Sequence, residues 1–451
     1  MSNKKVIVRF APSPTGSFHL GSVRTALYNY LFAKKEEGKM LLRIEDTDKE
    51  RSKKEFEEEI YDSLEWLGLD YEKEILKSSE RTNIYKEKLQ ELIKNGSAYL
   101  AESQNSLDGH HQGKVVRFKN PGGKITFTDL IRGKIVEDVT DLKDFIIAKN
   151  LEEPLYHLAV VVDDMESEIT HVIRGEDHIS NTTRQILIAR ALGKKEDFKY
   201  VHLPLVLAED KSKLSKRKHG ENASLKYYIK KGYEPEAILN FLALIGWNPG
   251  TNQEIFSLKE LIKEFDTAKI QKKGAIFNVE KLDWLNREYI LRLSDEDKFS
   301  IFNLEFSKSK WKDSEKIKDE VFMKKLLEIM LERIHRWGEV EELLERGEFD
   351  YMFERPKIDG DKICWKKQNK EGVERIMNHE LRIMEENTDI KKIKEKIMEY
   401  AEKEGKGETL WPLRYALSGR DKSPDPFTLL DILGKEESKE RIEKAIKLLS
   451  S

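Results

Sequence analysis

Cysteine is almost missing from this 451-residue chain. Cys364 stands alone, which excludes an internal disulfide and any zinc site built on several thiolates. Long apolar runs are missing too, and none approaches the ~20 residues that a bilayer span needs. The N-terminal MSNKKVIVRF passes straight into a strand-like segment with no signal-peptide core. Together these features favour a reducing, cytoplasmic setting and no membrane partner. Charge of one sign is also lacking: 81 basic and 84 acidic residues leave a net −3. Composition therefore gives no support to a nucleic-acid partner, and any RNA would be held by local patches. Neither G-x-x-x-x-G-K-[ST] nor G-x-G-x-x-G occurs, which disfavours a P-loop NTPase and a dinucleotide enzyme. No fixed-period repeat and no long low-complexity tract is present.

What remains is a globular composition, 38% hydrophobic and 37% charged, too apolar for disorder and too charged for a membrane protein. At roughly 150 residues per domain the length suggests about three domains. The first 50 residues read as strand, helix, strand. VIVRF (6–10) is a short apolar run, and Pro12, Pro14 and Gly16 punctuate the turn that follows. From Ser22, apolar residues recur at Val23, Ala26, Leu27, Tyr30 and Leu31, which is helical spacing. Ser22 either caps this helix or shares its entry turn with Gly21, and Gly38 is placed to end it. MLLRI (40–44) is the next strand. A βαβ unit with parallel strands and a right-handed crossover follows, and such sheets bind ligands at the carboxyl ends of their strands. Arg9 to Ser13 and Glu45 to Asp48 should then share one rim beside the helix start near Gly21.

Residues 52–95 look helical and highly charged. Between 98 and 150, glycines at 113, 122, 123 and 133 separate short strand-like runs, as in a small inserted domain. The strand–helix rhythm returns with YHLAVVVDD (156–164) and ITHVIRGED (169–177), then a helix at 181–193 and a strand at 200–207. Beyond 222 the chain turns mostly helical. Pro235 suits a first helical position and Gly246 a C-terminal stop. Helical spacing marks 321–337 and the tail after Lys435, and strand signals nearly vanish beyond about 291.

Three segments carry candidate chemistry. In RFAPSPTGSFHLGSVRTAL (9–27), a turn leads to His19-Leu20-Gly21-Ser22 at a helix start, where free N–H groups and the dipole favour phosphate. Gly21 would admit a ring or phosphate close to the backbone, and His19 can donate to a phosphate oxygen. In KLSKR (213–217), Lys213 and Lys216 could stabilise a pyrophosphate leaving group. The surrounding KSKLSKRK (211–218) is either a basic patch or a solvated loop. RIEDTD (43–48) and VIRGEDH (172–178) place acids and bases just past strands, as site residues or as plain ion pairs.

At these residues the chain resembles a class I aminoacyl-tRNA synthetase. HLGS (19–22) is similar to the HIGH motif and KLSKR (213–217) to the KMSKS motif. The longer strings RFAPSPTGSFHLGSVRTALYNYLFA, LLRIEDTD, FTDLIRGKI, VVVDD, THVIRGEDHISNT and KLSKRKHG resemble the glutamyl-tRNA synthetases block by block. In the rear half, FNVEKLDWLN (277–286) and LWPLRYALSGRDKSPDPFTLLDILGKE (410–436) resemble the bacterial type.

The resemblance implies an α/β Rossmann-type catalytic domain with an inserted α+β acceptor-binding domain, followed by an all-α anticodon-binding C-terminal region. The corresponding boundaries are 1–97 and 156–221 for the catalytic domain, 98–155 for the insertion, 222–290 for a helical stem-contact domain and 291–451 for the anticodon-binding region. It implies that Arg9, Tyr156 and Arg174 hold the glutamate carboxylates, with Ala11 and Ser13 lining the pocket and Glu45 on the α-amino group. His19, Gly21, Ser22, His178, Leu205 and Val206 would contact ATP, and Lys213 and Lys216 the triphosphate. Arg414 falls in the anticodon-domain motif without an assigned base.

Ser22 stands where the HIGH motif has its second histidine. A Cys cluster that many bacterial relatives carry after Ala98-Tyr99 is replaced by LAESQNS, and His110 and His111 lack thiol partners, so neither a structural zinc nor another resident metal is expected. The implied partners are L-glutamate, ATP with Mg2+ and tRNA(Glu), with tRNA(Gln) a second candidate, acting on a monomer. Family behaviour implies that bound tRNA is needed to activate glutamate. A glutamyl-Q tRNA(Asp) synthetase, a glutaminyl-tRNA synthetase and a catalytically dead tRNA-binding paralogue are the alternative readings.

Overall fold

The computed structural model describes residues 5–102 and 114–449, and at Lys216 and Arg217 the backbone alone. His110 and His111 lie outside the described residues. The chain forms two compact units, Met1–Tyr289 and Ile290–Ser451.

The first unit opens as the expected βαβ. Strand β1 (Ile7–Phe10) pairs in parallel with β2 (Lys39–Ile44), and helix α1 (Leu20–Lys35) crosses between them. Helix α1 starts two residues before Ser22. His19 is its N-cap, because the His19 backbone is extended and its Nδ1 accepts the Ser22 N–H at 3.1 Å. The helix is buried well beyond its apolar stripe, with Arg24, Tyr28 and Asn29 also enclosed. Residues 52–95 are two helices, α2 (Lys54–Trp66) and, after the two-residue strand β3 (Leu76–Lys77) that pairs with β2, α3 (Thr82–Lys94).

The following segment supplies β4 (Ala98–Glu102), β5 (Lys114–Phe118), β6 (Lys124–Asp129), β7 (Gly133–Asp138), β8 (Phe145–Asn150) and β9 (Glu153–Pro154). Strands β4, β5, β8 and β9 make an antiparallel sheet. YHLAVVVDD, which reads like a strand, is instead the core of helix α4 (Tyr156–Glu166). An unbroken apolar run is compatible with either element. Here burial on nearly every side, from Leu158 to Asp164, removes the polar face that would have marked a helix.

Strand β10 (His171–Gly175), helix α5 (Ile179–Ala191) and strand β11 (Lys199–Leu203) form the second parallel crossover. The hairpin β6–β7 joins this sheet, with Asp129 opposite Tyr200. The run 200–207 is broken at Pro204, which has no N–H to donate. The two residues of β12 (Val206–Leu207) pair separately with β13 (Ala275–Ile276). Thr170 ties β1 to the start of β10: its N–H donates to the Ile7 carbonyl at 2.9 Å and its Oγ1 accepts the Ile7 N–H at 3.0 Å. One crossover thus runs away from β1 and the other away from β10. The gap between them is a topological switch point, where open α/β sheets leave a crevice.

Helices α6 (Lys216–His219), α7 (Leu225–Lys230), α8 (Pro235–Leu244) and α9 (Leu258–Glu264) follow, with Pro235 at the first turn of α8. Leu225, Leu242 and Leu285 share a core with Leu20 and Leu27 of α1. The first unit gives way to the second within α10 (Val279–Arg292).

Among its described residues the second unit is helical, from α11 (Asp295–Phe306) to the terminal Lys435–Leu449 helix. Several of its helices start on a side chain that accepts an amide hydrogen, as at Ser294, Asp319, Asn369, Asp389 and Asp425. The periodicity over 321–337 is cut at Leu331, where the helix ends. Arg441 is buried and donates to the carbonyls of Tyr351 (2.8 Å) and Leu417 (2.6 Å), groups that helix ends leave without intrahelical partners. No helix among the described residues is long and apolar enough to cross a membrane.

Glu380 is fully buried in the second unit, and neither carboxyl oxygen has a hydrogen-bond partner among the described residues. Burial pushes its carboxyl well above the ordinary range, so the folded protein holds a proton that the unfolded chain releases. Stability should fall as pH rises above the usual glutamate value, because the unfolded state then binds fewer protons. Glu380→Met should stabilise the fold by about 1–3 kcal/mol at neutral pH and flatten that decline. Calorimetric melting of both proteins from pH 4 to 8 checks this.

Candidate active site

The carboxyl ends of β1, β2 and β10, the start of α1 and the β12 hairpin surround one cleft of about 260 Å³. It is lined by Arg9, Ala11, Ser13, His19, Gly21, Ser22, Glu45, Tyr156, Arg174, His178, Leu205, Val206 and Lys213. Every sequence-nominated site residue except Lys216 therefore lines one cavity. Lys216 begins α6 three residues after Lys213, and its side chain lies outside the description. Of the acidic residues in RIEDTD (43–48), only Glu45 reaches the cleft. Asp46 binds Ser79, and Asp48 pairs with Arg51 at the surface.

The cleft floor is set by consecutive aspartates in the last turn of α4, residues not singled out individually in the sequence. Asp164 Oδ1 accepts from Arg9 Nε (3.0 Å) and Arg43 Nη1 (2.6 Å). Asp163 accepts from Arg81 Nε (2.7 Å), Tyr85 (2.8 Å) and Ser78 (3.1 Å). Carboxylates at a helix C-terminus oppose its dipole, and these guanidiniums offset that. Burial pushes the Asp164 carboxyl up, but Arg9 and Arg43 outweigh it and hold it below the usual carboxylate range. Arg43 Nη2 also donates to Glu45 Oε1 at 2.9 Å. Burial drives Glu45 above its ordinary value against the pull of Arg43 and Arg9. A charged pair directly after an unbroken apolar run was the available signal, since buried acids need partners.

Arg174 differs from Arg9 and Arg43. It is buried, and it donates to Thr182 Oγ1 (2.8 Å) and His202 Nε2 (3.4 Å), both neutral acceptors. Its Nη1 has no partner, and among the described residues no carboxylate is in ion-pair contact with it. Tyr156 approaches from α4, its hydroxyl 3.2 Å from His178 Nδ1. Burial and the nearby Arg174 lower the His178 pKa to about 4. The ring is therefore neutral near pH 7, and its Nδ1 accepts from Tyr156 and from Asn181 Nδ2 (3.2 Å).

On the other side of the cleft, the His19 ring is open to solvent yet flanked by protein. That packing and the Lys213 ammonium hold its pKa below the ordinary value, against Asp177. A Cβ at Gly21 would come within 3.0 Å of His19 Nδ1, so glycine there keeps the ring in its capping position. Lys213 projects from the hairpin that follows β12, where the Leu214 N–H donates to the Val206 carbonyl at 2.9 Å. Its Nζ meets Asp177 at 2.7 Å, with both side chains about half exposed. In the basic run 211–218, Lys218 pairs with Asp210 at 2.5 Å. At least two of the five cations thus face carboxylates, which weakens the reading of this run as a free RNA-binding patch.

The second unit carries its own mixed aromatic and cationic surface. The Trp365 and Trp411 rings are 5.1 Å apart, and the Arg414 guanidinium lies 4.7 Å above the Trp411 ring. Arg414 also donates to Ser423 Oγ (3.0 Å) and the Asp421 carbonyl (2.9 Å). Among the described residues no group of three or more His, Cys, Asp or Glu could hold a metal ion.

Residues 5–110 and 100–284 match the family described as tRNA synthetases class I (E and Q), catalytic domain, and residues 297–446 match an anticodon binding domain. The chain is 38% identical to glutamate–tRNA ligase 1 of Petrotoga mobilis, with 97% of each chain covered. It is 37% identical to the glutamate–tRNA ligase of Aquifex aeolicus, with 99% of this chain and 100% of the relative covered. Among solved structures it superposes on a glutamate-tRNA synthetase from Elizabethkingia anophelis with a TM-score of 0.86 at 32% identity, covering 98% and 100% of the two chains.

Asp164→Ala should destabilise the first unit by about 3–5 kcal/mol, because it leaves two buried guanidiniums without their shared acid. In the wild type this contribution is present above the ordinary aspartate pKa and is lost as pH falls through the lowered folded value. Thermal melting of both proteins between pH 3 and pH 7 checks it: the stability gap should narrow on acidification.

Proposed function

The chain belongs to the glutamate–tRNA ligases, within the class I tRNA synthetases, and from that membership we propose how its cleft divides the work. The protein joins L-glutamate to tRNA(Glu) at the expense of ATP. The observation that carries the site reading is Arg174, a buried guanidinium with a free Nη1 and no acid of its own. A substrate carboxylate supplies the missing charge, and a planar fork suits a carboxylate. Glutamine would leave the guanidinium unpaired, a penalty of roughly 2–5 kcal/mol. Arg9 and Tyr156 complete the carboxylate side, Ala11 and Ser13 line it, and Glu45 receives the α-ammonium.

ATP enters as its Mg2+ complex against the start of α1. His19, Gly21 and Ser22 face its phosphates, while His178, Leu205 and Val206 flank the adenosine. The glutamate α-carboxylate attacks the α-phosphate, forming glutamyl-adenylate and releasing pyrophosphate. Lys213 and Lys216 neutralise charge on the leaving group. The 2′-hydroxyl of the terminal tRNA ribose then attacks the adenylate carbonyl and expels AMP. No protein nucleophile takes part, so rate comes from positioning and charge stabilisation.

The segment 98–155 is assigned to the acceptor end, 222–290 to the acceptor stem and 291–451 to the anticodon. The Trp365–Trp411 surface with Arg414 supports the last of these, since rings and guanidinium planes stack on bases. The full-length match, including the anticodon-binding segment, favours tRNA(Glu) over the tRNA(Asp) of a glutamyl-Q enzyme, whose family lacks that region. The enzyme is read as a cytoplasmic monomer.

Lys216→Ala should slow adenylate formation by ~10²–10³ with tRNA affinity nearly intact, as measured by pyrophosphate exchange with tRNA present. An unchanged rate removes Lys216 from the mechanism. Purified tRNA(Glu) should accept labelled glutamate and should not accept glutamine. A parallel reaction on tRNA(Gln) decides whether the anticodon-binding unit also admits that tRNA.

A further inference from the structure

The Nε–Nη2 edge of Arg174 is held by His202 and Thr182, which lie outside the residues assigned above. His202 on β11 is completely buried and Asp129 on β6 is 1% exposed. Asp129 Oδ1 accepts the N–H groups of Ile131 (2.9 Å) and Arg132 (2.8 Å). Its Oδ2 accepts the His202 N–H (2.9 Å) and faces His202 Nδ1 at 2.8 Å. An ionised carboxylate is acceptor-only, so His202 Nδ1 must carry the proton and donate. Nε2 is then a lone-pair acceptor. It faces Thr182 Oγ1 at 2.9 Å and Arg174 Nε at 3.4 Å, and Thr182 Oγ1 in turn accepts from Arg174 Nη2 at 2.8 Å.

The hydrogen-bond polarity runs consistently along this chain. Arg174 donates through Nε and Nη2, the single Thr182 proton faces His202 Nε2 at 2.9 Å and the His178 carbonyl at 3.2 Å, with His202 the nearer acceptor, and His202 donates to Asp129. The Nε–Nη2 edge is pinned, and Nη1 is buried without a partner in a residue that lines the cleft. The Tyr200 ring, parallel to His202 at 8° and 5.8 Å, fixes the imidazole plane.

We propose that Asp129, His202 and Thr182 are positioning residues that fix the tautomer and orientation needed for Arg174 to present Nη1 to the substrate carboxylate, an inference that rests on reading Arg174 as the glutamate-binding arginine. Asp129 belongs to the β6–β7 hairpin, so the segment assigned to the tRNA acceptor end also supports the amino-acid pocket. Its neighbour Arg132 makes a second link, to Glu176, whose Oε1 accepts the Leu205 N–H at 2.9 Å.

The test is steady-state charging of tRNA(Glu) by the full-length enzyme carrying Thr182→Val, Asp129→Asn, His202→Leu or His202→Gln. Removing one bond to a charged group should raise KM for glutamate about tenfold or more in the first three variants, with kcat and KM for ATP within about twofold. His202→Gln restores an acceptor toward Arg174 and should recover part of the loss seen with His202→Leu. Thr182→Val is nearly isosteric and keeps the test valid if the buried His202 variants fail to fold. Glutamate KM within about twofold of wild type in Thr182→Val and Asp129→Asn overturns the proposal, whatever their melting temperatures, as does an equal rise in both KM values. Arg174→Ala is the separate control. If it leaves glutamate KM unchanged, the pocket assignment itself fails, independently of the positioning relay.

Discussion

Asp164 is the carboxylate on which the cleft depends. Its Oδ1 is shared by guanidiniums from two neighbouring strands, Arg9 on β1 and Arg43 on β2, and it stands on the helix packed beneath them. Two buried arginines without an acid would each carry a desolvation penalty of several kcal/mol. The shared acid offsets it and ties two strand ends and α4 into one rigid floor. This pairing also defines which arginine is free. Arg9 and Arg43 have an acid in contact, whereas Arg174 has only a hydroxyl and an imidazole. Arg24, also buried at the cleft, is held by the Pro204 carbonyl and the Tyr28 hydroxyl instead of an acid. Arg174 differs in having an Nη1 with no partner at all, and that atom is proposed to meet a substrate carboxylate.

The side proposed for the nucleotide follows the opposite energetic logic. Lys213 and Asp177 are both about half exposed, and exposed pairs contribute roughly 0–1 kcal/mol. Such a contact keeps the lysine near the cleft and yields easily to a more highly charged phosphate. The side proposed for the amino acid is built on buried, hydrogen-bonded guanidiniums, which suits discrimination between glutamate and glutamine. The side proposed for the phosphates is exposed, which suits binding and releasing a triphosphate.

Periodicity and punctuation made much of this architecture legible. The βαβ opening, the proline-started α8 and the helical second unit follow from apolar spacing and capping residues. The misread elements have local causes. YHLAVVVDD carries no polar face to betray a helix, because the protein surrounds it. The run 200–207 looks continuous until Pro204 is counted as a missing donor, and Ser22 yields the capping role to His19, whose ring reaches back to the Ser22 amide. The nominated residues other than Lys216 line one cleft, yet the acids that hold its arginines were not singled out one by one. Asp163 and Asp164 appeared only within a string, and Asp129 within another.

The sequence by itself determined the inventory and the local geometry: which residues begin helices, where parallel strands must end, and that a histidine, two lysines and several arginines fall near those ends. Tertiary structure alone decided the charge pairing among them. Arg9 meets Asp164 across 155 residues of chain and Asp129 meets His202 across 73. Local sequence carries no information about such separations, because they are set by how the sheets of the two crossovers meet, β1 beside β10. An arginine with its own acid and one without look alike in sequence, and only the fold makes one a structural tie and leaves the other as the proposed substrate site.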